Sequence, residues 1–94
     1  MYIVSYDIKN NKKRNKVAKI LEDYGERIQY SVFMLDVNRT VLFQMLERVE
    51  KVIEKSEDSI IVIPAFADNI ISLGTPMVAI LPKNSKGIIV CGSE

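Results

Sequence analysis

The chain opens on a run in which nearly every position is apolar, aromatic or β-branched: Met1-Tyr-Ile-Val-Ser-Tyr-Asp-Ile8. It is short and holds no Gly or Pro, so it predicts a strand. Its one charge, Asp7, stands near the C-terminal end. The pattern then changes period. Val17, Ile20, Leu21 and Tyr24 fall at i, i+3, i+4 and i+7, a single helical stripe. Asn10 or Asn11 can cap this helix and Gly25 suits its far end, which places it at about residues 11–24. Residues 27–37 alternate again, with Ile28, Tyr30, Val32 and Met34 on one face and Gln29, Ser31, Phe33 and Leu35 on the other. This segment reads as one long strand. Both of its faces are mostly apolar, so both need cover.

A second amphipathic stripe, Val41, Leu42, Met45, Leu46, Val49, Val52 and Ile53, follows Asn38 and predicts a helix to about residue 55. Residues 59–63 form a compact apolar strand, closed by Pro64. Beyond it, 65–71 looks irregular, 72–74 is a short strand, 77–81 a short apolar run, 82–87 a polar hinge and 88–91 a last strand. The expected fold is α+β: one ferredoxin-like βαββαβ sandwich over residues 1–94, with residues 72–75 as the fourth strand position and an extra C-terminal strand. Two helices cover one sheet face. The other face, still apolar, predicts a homodimer with sheets face to face, and strand 88–91 is expected to pair with the partner's sheet edge.

Charge adds a direction to this frame. The net charge is only +1, but Lys9, Lys12, Lys13, Arg14, Lys16 and Lys19 face Asp7 alone in residues 1–20. Residues 44–58 carry the compensating acids Glu47, Glu50, Glu54, Glu57 and Asp58. Such asymmetry points to one basic face for an anionic partner. With 48% hydrophobic and 27% charged residues, the composition is that of an ordinary globular domain. No segment has the ~18 to 20 consecutive apolar residues of a membrane span, and the start does not resemble a signal peptide. A cytoplasmic location is expected. Cys91 is the only cysteine, which excludes an internal disulfide.

The absences narrow the chemistry. Without histidine there is no Ser-His-Asp triad, and one cysteine excludes a Cys-rich zinc site within one chain. Carboxylate, Lys, Arg, Tyr and hydroxyl groups remain. Hydrolysis with that set calls for an oxygen-bound hard cation such as Mg²⁺. Asp7 is the candidate metal ligand. Lys12, Lys13, Arg14, Lys16, Arg27 and Ser31 are the candidate phosphate contacts. The bland readings stay beside these: a strand-end Asp is often a turn residue, a lysine run is often a solvated helix face, and Ser31 equally fits an ordinary strand serine. Tyr6, Tyr30 and Phe33 read as core or dimer contacts.

Several strings together carry a resemblance. Tyr2-Ile-Val-Ser-Tyr-Asp-Ile8, Lys13-Arg14, Lys16-Val-Ala-Lys-Ile-Leu21, Tyr24-Gly25 and Arg27-Ile-Gln-Tyr-Ser-Val-Phe33 resemble the second CRISPR-associated protein family, the small subunit of the spacer-acquisition machinery. Asp58-Ser59-Ile60 and Leu73-Gly74 extend the likeness, which is strongest over residues 1–35. At Met34 the chain departs from the acid that many members carry. The resemblance implies a ferredoxin-like homodimer with the two strand-one aspartates, here Asp7, facing each other across a cleft. It implies Mg²⁺-dependent endonuclease activity on single-stranded RNA or double-stranded DNA. It also implies a heterohexamer of one such dimer with two dimers of the CRISPR integrase subunit. Two alternatives stay open: a non-catalytic scaffold docking the integrase through residues 76–94, and a ferredoxin-like RNA-cleaving toxin.

Overall fold

Alternation along the first strand decides how everything else is layered. In β1 (Tyr2–Asp7) the even positions turn inward, with Val4 fully buried and Tyr6 nearly so. Ile3, Ser5 and Asp7 turn the other way. The computed structural model describes residues 1–74 and the backbone of 89–91. Around β1 it places α1 (Asn11–Glu22), β2 (Glu26–Gln29), β3 (Val32–Leu35), α2 (Arg39–Glu50) and β4 (Ser59–Pro64). These four strands form one antiparallel sheet in the order β2-β3-β1-β4. With both helices against one face, this is the ferredoxin-like sandwich.

The helices form where the sequence predicts, for local reasons. Asn10 caps α1 by accepting the Lys13 N–H at 2.9 Å, and Asn38 caps α2 by accepting the Val41 N–H at 2.9 Å. Val17, Ala18 and Leu21 of α1 and Leu42, Met45 and Val49 of α2 are buried, and they close on Val4, Tyr6, Phe33 and Leu35 of the sheet. Helix α2 stops at Glu50, about a turn before the expected residue 55. After it the chain turns on Asp58, whose carboxylate accepts the Glu54 N–H at 2.9 Å while its own N–H donates to the Glu54 carbonyl at 2.7 Å. Asp58 is the one buried charged side chain among the described residues.

The single long strand expected over 27–37 is corrected. It is a hairpin, β2 and β3, with Tyr30 and Ser31 at the turn and Gln29 opposite Val32. No Asn-Gly or Asp-Gly marks the turn, and neither residue takes a positive φ. The turn is held from outside instead: the Tyr6 N–H donates to the Ser31 carbonyl at 3.1 Å. The register shifts between Arg27 and Gln29, and Ile28, at the shift, is buried.

This hairpin supplies the sheet's missing strand, so residues 72–75 do not. Instead β5 (Ile71–Leu73) pairs in parallel with β6 (Ile89–Cys91) in a separate two-stranded sheet. In the single chain the last strand lies on β5 of the same molecule. The expected run 77–81, the hinge 82–87 and most of the proposed docking segment 76–94 lie outside the described residues.

Candidate functional site

Strand pairing defines the open face of the sheet row by row. Met34, Ile3 and Ile63 stand side by side; Val32, Ser5 and Ile61 form the next row; Asp7 stands opposite Ser59 at the end. Ile61 and Ile63 are exposed, and so is Asp7. The open face is therefore an apolar patch with one carboxylate at its margin. Among the described residues no three His, Cys, Asp or Glu side chains gather in a metal-binding group. One chain offers Asp7 and little else to a cation. That set fits Mg²⁺ only in its usual manner, with one or two carboxylates and the rest of the shell from phosphate and water.

The cations divide between two places on the helix side. Arg14 and Arg27 meet in a small recess of about 70 Å³ with Tyr6, Asn15, Ala18 and Tyr30. Arg27 is opposite Phe33 in the hairpin, on the helix side of the sheet, and its guanidinium lies 5.3 Å from the Phe33 ring centroid. Arg14 braces the end of β1: Nη1 donates to the Ile8 carbonyl at 3.0 Å, and Nη2 donates to Asn11 Oδ1. The Tyr6 hydroxyl approaches the Tyr30 carbonyl at 3.4 Å. Burial pushes the Tyr6 phenol above its ordinary pKa, against the pull of Arg27 and Arg14, so it enters the recess as a neutral donor. Two guanidiniums, a phenol and an amide around so small a space suit one phosphate group.

Lys12, Lys13 and Lys16 do not join that recess. They line a separate groove with Asn10, Lys51 and Val52. Ser31 is half-buried in the hairpin turn, where its backbone carbonyl is engaged by Tyr6; no hydrogen bond of its hydroxyl ties it to Asp7. Of the three aromatic side chains read as core or dimer contacts, Tyr6 and Phe33 are core, while Tyr30 is 69% exposed. Sequence reading missed Tyr6 as a wall of the recess, although its even position in β1 already placed it on the helix side. It also missed Lys51, for which no local signal exists.

The comparisons with known proteins agree with this frame. The family model described as "CRISPR associated protein Cas2" matches residues 1–69, from β1 through the turn after β4. The chain belongs to the Cas2 family. It is 48% identical over 62 residues to the CRISPR-associated endoribonuclease Cas2 1 of Methanospirillum hungatei, covering 65% of each chain. It is 37% identical over 60 residues to the CRISPR-associated endoribonuclease Cas2 3 of Synechocystis, covering 64% of this chain and 65% of that one. The match thus spans 65% of the length of these Cas2 relatives. The crystal structure of Streptococcus pyogenes Cas2 superposes with a TM-score of 0.66 at 30% identity, over 69% of this chain and 84% of that one. The matched residues 1–69 include Asp7, Arg14 and Arg27. Among the described residues no helix is long and apolar enough to cross a membrane.

Proposed function

We propose that this Cas2-family chain is an endonuclease of CRISPR adaptation, acting on RNA or double-stranded DNA as a homodimer joined through its open sheet faces. The observation that carries the reading is the placement of Asp7: an exposed carboxylate at the margin of an otherwise apolar face. Joining two such faces about a two-fold axis brings a second Asp7 to the same seam and supplies the paired carboxylates that one chain lacks. Two close carboxylates repel, and a cation relieves the repulsion. Mg²⁺ held by the Asp7 pair would activate water and offset charge at the scissile phosphate. The chain's own groups do the holding: Arg14 and Arg27 clasp a flanking phosphate beside the Tyr6 phenol. Nothing in the recess reads base edges, so recognition follows the backbone.

The names of the relatives, endoribonuclease in Methanospirillum hungatei and Synechocystis and endonuclease in Thermus thermophilus, support the reaction class and leave RNA and DNA both as substrates to test. Within the acquisition machinery the dimer would join the integrase subunit as a heterohexamer in the cytoplasm. The deciding experiment compares wild type with Asp7→Asn on labelled single-stranded RNA and double-stranded DNA, with Mg²⁺ and with EDTA. Cleavage that needs the metal and is lost in the variant is expected. Equal cleavage by both proteins would remove Asp7 from the chemistry. The second reading, a scaffold that holds nucleic acid without cutting it, draws on the lack of a cluster of three metal-ligating side chains among the described residues. It predicts binding without cleavage in every arm.

A further inference from the structure

Across the sheet from Asp7 stands a hydroxyl. In the ladder between β1 and β4, Asp7 is the direct partner of Ser59. The phase of that ladder follows from its far end, where the Ala65 N–H donates to the Met1 carbonyl at 2.9 Å. Stepping two residues at a time along both strands makes Ile3–Ile63, Ser5–Ile61 and Asp7–Ser59 the hydrogen-bonded pairs. Pro64, which has no N–H to give, falls in the opposite phase, with its nitrogen turned off the ladder. Residues opposed in such a pair have Cα atoms about 5.5 Å apart and side chains on the same face. A carboxylate and a hydroxyl at that spacing are within reach of one hydrogen bond.

The residue before Ser59 explains its direction. Asp58 is buried, and its carboxylate and its backbone N–H both bond to Glu54, which pins the entry into β4. Alternation then turns Ser59 onto the open face and Ile60 back toward the helices. The other residues that β4 presents on the open face, Ile61 and Ile63, are apolar and exposed. The hydroxyl of this strand thus stands at the end where the carboxylate is. Joining two open faces, as proposed above, takes water away from both groups. A hydroxyl left there without a partner costs stability, and a bond to the carboxylate offsets that cost.

We infer that Ser59 is a positioning residue of the Asp7 site. Its hydroxyl donates to one oxygen of the Asp7 carboxylate and leaves the other oxygen free for a cation. The inference rests on the nuclease reading above, because it takes Asp7 as the metal ligand. It adds to that reading a residue of β4 that acts through Asp7 alone. Side chains that hold a ligand in this way contribute about 10- to 100-fold to metal affinity.

The test uses the whole chain and Mn²⁺ alone as the probe, with the free ion counted by its EPR signal. Ser59→Ala should weaken Mn²⁺ binding on the order of 10-fold. Ser59→Thr keeps the hydroxyl and suits a strand, so it should bind as wild type does. Both variants should melt with wild type, since position 59 is exposed. Unchanged Mn²⁺ affinity in Ser59→Ala, beside an Asp7→Asn variant that no longer binds, would overturn the positioning role and leave the Asp7 site standing. A Ser59→Thr variant as weak as Ser59→Ala would overturn it too, because the hydroxyl would then not be what matters. Wild type that takes up no Mn²⁺, or Asp7→Asn that binds as tightly as wild type, would overturn both readings.

Discussion

Trimming the open sheet face tests the assembly on which the Asp7 site depends. Ile61 is 57% and Ile63 50% exposed in the single chain, so about half of each side chain remains to be buried. Full burial of an isoleucine side chain is worth roughly 1.5–3 kcal/mol, so the remaining half is worth about 0.8–1.5 kcal/mol. A two-fold interface presents each residue twice. Ile61 and Ile63 together then contribute roughly 3–6 kcal/mol to the dimer. In Ile61→Ala/Ile63→Ala most of that is lost, roughly 2–4 kcal/mol, and the dissociation constant should rise on the order of 30- to 1000-fold. Sedimentation equilibrium over a dilution series reads the constant directly. The fold itself should suffer little, because both positions point away from the core. A variant that dimerises as tightly as wild type would refute the face-to-face arrangement, and so would a wild type that stays monomeric at high concentration. If the dimer weakens as expected, metal-dependent cleavage should fall in step with the monomer fraction.

Three further outcomes follow from the packing. A methyl group at Gly25 would lie 2.2 Å from the Met34 carbonyl oxygen and 3.0 Å from the Leu35 Cα, both backbone atoms that cannot yield cheaply; Gly25→Ala should cost about 3 kcal/mol or more in urea unfolding, and a loss below 1 kcal/mol would contradict the close approach. Asn38→Ala removes the acceptor of the Val41 N–H and should cost about 1 kcal/mol in thermal or urea unfolding, with nucleic-acid affinity untouched. Tyr6 has its phenol pKa raised by burial, so the folded state holds the proton more tightly than the unfolded chain. That contribution is intact below the ordinary value of 10.0 and is lost as pH climbs above it toward the folded value. Tyr6→Phe should therefore flatten the alkaline fall in stability seen in pH-dependent melting, and an identical alkaline profile would refute the assignment.

The parts legible in the sequence are those governed by neighbours along the chain. Val17, Leu21, Leu42, Met45 and Val49 declare their helices by spacing alone, and Asn10 and Asn38 declare where those helices start. Asp7 was legible because a lone carboxylate at a strand end stands out against an apolar run. The hairpin at Tyr30 and Ser31 was not. The apolar alternation runs through it unbroken, no turn residue marks it, and the bond that holds it comes from Tyr6, far away in sequence. Missing that turn also displaced the fourth strand onto residues 72–75. The same limit governs the cations. Lys12, Lys13 and Arg14 are adjacent in the chain, yet Arg14 turns to Arg27 of β2 while the lysines meet Lys51, just past the end of α2. Which basic residues share a ligand is a property of strand order, which local patterns do not contain.

The strict alternation of β1 also sets what kinds of length change the gene can accept there. Tyr6 and Val4 face the helices while Asp7, Ser5 and Ile3 face the open side. Deleting or inserting one codon within this strand would exchange the two sets, sending the carboxylate into the core and the phenol to the open face. Deleting or inserting two codons would restore the alternation and cost only a displaced register. Tolerance to insertions and deletions in this strand should thus run by parity, with even changes surviving selection for function where odd ones do not.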